Sequence, residues 1–244
     1  MLGPPSFPIA PSNRTAEASP RAFSPPTHTP SPCQAHAIIP QVLPAVMAAA
    51  QHPSALLRHP AVYGLGIMAQ FASAVVRPHV GACLGLLIKC IMAKDARCEE
   101  NEACTDNAVA AAVKFARFCG DAMPAEQREG IMSHALTYFP IKGDEIEARL
   151  LHGWLVSGLM ANEPLWVGSG SARLRAAVEA LAKIRMAHED NEDKDGERLI
   201  EERSEAELRG WAATVKGGPG GPQLAALVAS VDAKWRPYLE RCGL

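Results

Sequence analysis

Apolar stretches with helical spacing alternate with short breaks near residues 52, 96, 142 and 192, so a similar unit returns every roughly 44 to 50 residues. No other feature constrains the fold as much. A single pair of helices cannot bury its own apolar stripe, whereas stacked pairs bury a continuous core. The clearest unit runs from Ser54 to Ala72. Leu57, Ala61, Leu65, Met68 and Ala72 recur there at spacings of three and four and share one face of a predicted helix over 55–72. Ala61, Gly64 and Ala69 are small and suit a helix pressed against neighbours. A second apolar helix, Ile38 to Ala50 with Pro44 inside it, lies upstream. Gln51 to Ser54 separates the two, and Ser54 is the expected N-cap.

The pattern continues along the chain. Val80 to Ala93 carries Cys83, Leu84, Leu87, Ile88 and Ile91 on one side. After a turn at Lys94 to Cys98, a helix over 100–118 presents Ala103, Ala108, Ala111, Ala112 and Phe115. Pro124 opens a helix through Ile131, Met132, Ala135, Leu136 and Phe139. Asp144 is placed to cap the next, with Glu145 and Glu147 in its first turn and Ile146, Leu150, Leu151, Trp154, Leu155 and Leu159 along it. Beyond a loop at 162–170, Ser171 is the expected cap of a helix to about Ala187. A charged segment from His188 to Glu207 holds ten acidic residues and passes into a helix over about 197–215. Gly217 to Pro222 breaks the chain before a last helix, about Leu224 to Tyr238. The repeat length is that of HEAT or armadillo units. The expected fold is therefore all-α: a HEAT/armadillo-type superhelix of about four helix pairs with a closing C-terminal helix, over 36–244.

Composition agrees. Of 244 residues, 48% are hydrophobic and 5% aromatic, enough for a large core built on aliphatic side chains. Residues 1–35 are rich in Pro and Ser and show no periodicity, so a disordered tail is expected. A net charge of −2 gives no general attraction to nucleic acid or to an anionic membrane. No apolar run of about 18 residues is evident, so no transmembrane helix is expected, and the first residues lack the pattern of a secretory signal. The seven cysteines contain no C-x-x-C pair and read as reduced, mostly buried thiols.

Several of these marks together resemble a known family. Arg58 with Ala61 to Gln70, Arg77-Pro78 before Leu84 to Leu87, and Glu100-Asn101 with Thr105 to Asn107 stand in the order and spacing of successive helices of the importin-beta superfamily of nuclear import receptors. Leu136 to Pro140, Asp144-Glu145, Glu147-Ala148, Pro164 and Gly168 continue the register. The resemblance is to the C-terminal part of such a receptor. It covers about 54–168, and the rest more loosely. It implies HEAT repeats, binding of cargo proteins for nuclear import, residence in cytoplasm and nucleus, and, for a full-length receptor, contact with the Ran GTPase and nucleoporins. The family's principal Ran site lies in N-terminal repeats, outside the part resembled. Pro60 departs from the family, which has a small helix former there, and the Pro-rich start has no counterpart.

In a superhelix of helix pairs the second helices line the concave face. Asn107 and Lys114, seven apart on one of them, are therefore candidate cargo-binding residues, with bonding between neighbouring repeats as the alternative. Glu145, Glu147 and the acidic run 189–207 are candidates to attract basic cargo. The chain is not expected to be an enzyme. Ser169 in Gly-Ser-Gly follows no strand and so is no nucleophile elbow, that loop lacks a P-loop lysine, and His52 and His59 lack a third zinc ligand. No cofactor is expected. Two other readings remain: a HEAT-repeat interaction scaffold unrelated to transport, and a calcium-binding regulator. The latter rests on 191–202, where Asn191, Asp193, Asp195, Gly196 and Glu202 follow EF-hand spacing. Asn191 at position one and Arg198 at the apolar position count against it.

Overall fold

The computed structural model describes residues 32–192 and 196–244, and no strand occurs among them. The helices are α1 (Pro32–Ala49), α2 (Ala55–Phe71), α3 (Ser73–Val76), α4 (Val80–Ile91), α5 (Glu99–Phe118), α6 (Ala125–Tyr138), α7 (Glu145–Met160), α8 (Pro164–Val167), α9 (Leu174–Glu192), α10 (Glu202–Gly217), α11 (Gly221–Ser230) and α12 (Arg236–Arg241). The protein is all-α, as its periodicity predicts. Of the expected tail 1–35, residues 1–31 lie outside the described residues, while 32–35 already belong to α1.

The centre of the fold is α5. Every residue from Cys104 to Ala116 is buried. Its run of alanines favours helix and leaves room for neighbours on all sides. Glu99, Glu100 and Glu102 in the first turn and Arg117 in the last complement the helix dipole. One core lies on its first side, where Leu65 and Ala69 of α2 and Leu84 and Leu87 of α4 meet Ala108, Ala111 and Phe115. A larger core lies on the other, where Val109 and Val113 join Met132, Leu151, Trp166 and Leu181 from α6 to α9. The pairs α1/α2 and α4/α5 stack through their second helices, α2 on α5. Past α5 the packing is less repetitive. α6 lies on α5 and α9, α7 on α9 and α10, and α12 closes against α9.

Local departures from the expected pattern have physical causes. On α2 the buried stripe is Ala61, Val62, Leu65, Gly66 and Ala69, while Leu57 is 53% exposed. The face is turned because α5 needs the flattest side, where Gly66 comes close to Ala111. Pro60 is exposed, so its ring faces solvent inside the helix. Ser54 sits at the N-cap without a side-chain bond. Ser171 does not cap α9, because it adopts a left-handed φ of 64° within a 3₁₀ turn before the helix. α9 runs on to Glu192 rather than ending near Ala187, supported by the i,i+4 pair Arg185–Glu189. The last predicted helix is divided. Val231 is extended, and Asp232 caps a 3₁₀ turn by accepting from the Lys234 N–H before α12 begins.

The absence of a long apolar stretch also needs correction. Ser73–Ile91 is helical throughout its 19 residues, with a mean hydropathy of 1.5, and passes the length and composition test for a membrane span. A 3₁₀ turn at Arg77–His79 interrupts it, and Val76, Val80, Cys83, Leu84 and Leu87 pack into the first core.

Candidate functional site

The candidate residues predicted for a cargo groove occupy the junction between α5 and α7. Lys114 is 1% exposed and Glu147 2%, and they form an ion pair with Nζ 2.5 Å from Oε1. Asn107, also 1% exposed, donates from Nδ2 to Oδ2 of Asp144 at 3.2 Å. Asp144 caps α7 as expected, its Oδ1 accepting from the N–H groups of Ile146 and Glu147. Asn107, Lys114 and Glu147 thus bond helix to helix and do not face a partner. Glu145 alone of the four reaches the surface, half-buried. The reason is that α5 is enclosed on every side, so its polar residues point into packed neighbours.

The same junction fixes the α6–α7 turn. Oδ2 of Asp106 accepts from the Lys142 and Gly143 N–H groups, both at 2.7 Å. Gly143 lies so close to α5 that a Cβ there would stand 2.6 Å from Cα of Ala103. Burial pushes the carboxyls of Asp106 and Glu147 up, against the pull of the two backbone donors on the first and of Lys114 on the second. The residues that carry the family resemblance, Arg58, Asn101, Thr105 to Asn107 and Asp144, are therefore mostly interhelical polar connectors.

A cavity of about 420 Å³ opens at the other end of α5. Its walls come from the α1–α2 turn, the start of α2, the end of α4 and the start of α5. Arg58 organises it. Its Nη1 donates to the carbonyls of His52 and Pro53 at 2.8 Å, and its Nη2 to Oδ1 of Asn101 at 2.5 Å. Asn101 in turn donates to Oδ2 of Asp95 at 3.1 Å, and Thr105 to the Ala96 carbonyl at 2.8 Å. Cys90 forms part of the wall, and its Sγ lies 3.6 Å from that of Cys104. The pairing of these two cysteines escaped the sequence. The usable signal was that Cys90 ends one helix and Cys104 begins the next, which folds back beside it.

Between α4, α5 and α6 lies an apolar groove of about 330 Å³. Ile88, Ile91, Met92 and Ile131 line it, with Gln127 and His134 at its polar edge. Ile88, expected on the apolar side of its helix, is 41% exposed, and Met92 just past the end of α4 is 66% exposed.

The acidic run proves to be largely neutralised within the fold. Glu205, 11% exposed, binds Arg185 at 2.5 Å and Arg198 at 3.0 Å, with Arg209 at 3.9 Å. Glu197 and Glu201 pair with Arg149, Glu192 with Arg198, Glu207 with Arg203, and Glu189 with Arg185 and Arg241. The predicted attraction for basic cargo is correspondingly reduced. Of the candidate calcium ligands, Asp193 and Asp195 lie outside the described residues. Asn191 belongs to α9, and its Nδ2 donates to the Glu197 carbonyl at 2.5 Å. No group of three or more potential metal ligands occurs among the described residues. No protein-family model matches the chain.

Proposed function

We propose that the chain is a helical protein-binding module that holds an apolar side chain of a partner segment in the groove between α4 and α6. The observation that carries this is the groove itself: about 330 Å³, lined by aliphatic and methionine side chains, with Ile88 and Met92 left exposed beside it. A patch of that kind on an otherwise well-packed fold marks an interaction surface. In its finer form the proposal is the one the family resemblance implies. The module is a HEAT-type part of an importin-beta-like receptor and binds cargo for nuclear import. The stacking of α1/α2 on α4/α5 and the expected repeat length support that form. A helical scaffold unrelated to transport rests on the same groove and differs only in its partners.

Gly130 lines the groove, and a Cβ there meets nothing within 4 Å. Gly130→Phe is expected to fill the groove while leaving the fold and its thermal midpoint intact. Capture of basic import cargo by the purified full chain should fall at least tenfold in that variant, measured with and without Ran GTPase. Undiminished capture removes the groove from the proposal. Failure of the wild-type chain to bind any such cargo at low salt removes the transport form and leaves the scaffold.

A further inference from the structure

We propose that Cys90 and Cys104 form a reactive dithiol, which a small hydroperoxide entering the cavity beside Arg58 oxidises to a disulfide. The inference is independent of the groove and of any transport role. Three features of the geometry combine to carry it.

The first is proximity. The two Sγ atoms are 3.6 Å apart, in S–H···S contact, so forming a bond of ~2.05 Å requires them to close by only about 1.5 Å. The second is access. Cys90 is half-buried on the wall of a cavity of about 420 Å³, while Cys104 is 1% exposed. The third is charge. Arg58, held in place by His52, Pro53 and Asn101, shares the cavity wall with Cys90, and its charge acts on both sulfurs. The S–H···S contact with Cys90, together with Arg58, draws the Cys104 thiol down despite its burial while Cys90 is pushed up, so the ionised pair holds one proton between its two sulfurs. Other buried thiols lack this arrangement. Burial pushes Cys83 up to about 11 and Cys242 to about 12, so both stay protonated and inert.

The chemistry balances as follows. Once the pair has ionised, its remaining proton passes to Cys104 across the S–H···S contact as the Cys90 sulfur, the one on the cavity wall, attacks one oxygen of the peroxide. The O–O bond breaks, leaving a sulfenic acid on Cys90 and a hydroxide ion, which combines with the proton lost when the pair ionised. The Cys104 sulfur then attacks the sulfenyl sulfur, the S–O bond breaks, and water leaves with the thiol proton. Two thiols and one hydroperoxide give one disulfide and two waters, the thiols being oxidised and the peroxide reduced. The product would tie the end of α4 to the start of α5 at the cavity.

The test is to treat the full chain with hydrogen peroxide at neutral pH, block remaining thiols with N-ethylmaleimide, and map the peptides. The expected product is a Cys90–Cys104 cross-link, lighter by two hydrogens and reversed by dithiothreitol. Its rate should rise with pH through an inflection below that of an ordinary thiol. Arg58→Met should slow it by roughly tenfold, because the thiolate loses its cation, and Arg58→Lys should restore part of the rate. Because Arg58 also braces the α1–α2 turn, the wild-type pH profile stands as a test that needs no variant. Three results overturn the proposal: Cys90 and Cys104 both remaining open to alkylation while Cys98 is oxidised, oxidation halting at a sulfenic acid, or an inflection near that of an ordinary thiol.

Discussion

Lys114 of α5 and Glu147 of α7 meet at 2.5 Å in a setting where neither side chain is more than 2% exposed. Such a pair gives little net stability over an apolar substitute, because both charges have been stripped of water. Its loss is another matter. Lys114→Met leaves a buried carboxylate with no cation, and Glu147→Leu leaves a buried ammonium, each expected to cost about 3–5 kcal/mol. The double variant Lys114→Met/Glu147→Leu should be less damaged than either single one. Urea titrations of all four proteins form the cycle that checks this. Additive losses in the double variant would mean that the two groups are not coupled.

Two glycines on α2, one residue apart from being neighbours, should respond in opposite senses. A Cβ on Gly66 would stand 3.1 Å from Cα and Cβ of Ala111, so α5 has to yield, and Gly66→Ala is expected to destabilise by about 1–3 kcal/mol. A Cβ on Gly64 meets only Cγ1 of Val46, at 3.9 Å, an ordinary contact. There the gain in helix propensity prevails, and Gly64→Ala should stabilise by about 0.5–1 kcal/mol. Thermal melts of the two variants decide the matter. Equal shifts would show that the α2–α5 crossing is not set by the missing side chain.

These results bear on what a sequence can display. The helices from α2 to α7 were legible because their apolar residues repeat at 3.6 and the breaks between them carry Pro, Gly or Asp. The Asp144 cap was legible for the same local reason. The direction of α5's polar residues was not. Asn107 and Lys114 read either as residues of a concave face or as bonds between neighbouring repeats, and the enclosure of α5 by its neighbours turns them inward to the second role. The charge of 189–207 was visible as composition, but its neutralisation depends on side-chain pairing within and beside the run and on Arg149 and Arg241, which are distant in sequence. The rotation of α2 follows likewise from the partner it meets.

Acid should weaken the fold through His152. The ring, carried by α7, is fully buried between the α6–α7 turn and the segment before α10. Its Nδ1–H donates to the Leu199 carbonyl at 2.7 Å, and Nε2 accepts from the Ile141 N–H at 3.2 Å. Burial draws its pKa down to about 4, with His188 adding to the effect and the Leu199 carbonyl opposing it. The unfolded chain binds this proton near 6.5 and the folded one does not, so the contribution is complete above 6.5 and is lost as pH falls towards 4. The change amounts to about 3 kcal/mol over that window. His188, drawn down by burial, acts in the same sense. Asp106 and Glu147, pushed up by burial, act in the opposite one. An imidazole resonance of His152 that titrates near 4, with a urea midpoint that drops between pH 7 and 5, is the expected result. A titration midpoint at 6 or above would contradict it.

Glu205 should matter more than its neighbours in the acidic run. It binds Arg185 of α9 and Arg198 of the connecting segment at 2.5 and 3.0 Å and is only 11% exposed, so solvent and salt screen it poorly. Glu205→Gln leaves Arg185 and Arg198 with weaker acceptors, at an expected cost of about 1.5–3 kcal/mol, the range for hydrogen bonds to charged groups. Glu207→Gln removes a pair with Arg203, which is 88% exposed, and should leave the melting midpoint almost unchanged. Melts in low and in molar salt separate the two. Salt should reduce what little Glu207 contributes and leave most of the Glu205 effect standing. If salt abolishes both equally, the cluster between α9 and α10 is a solvated face and does not hold the two helices together.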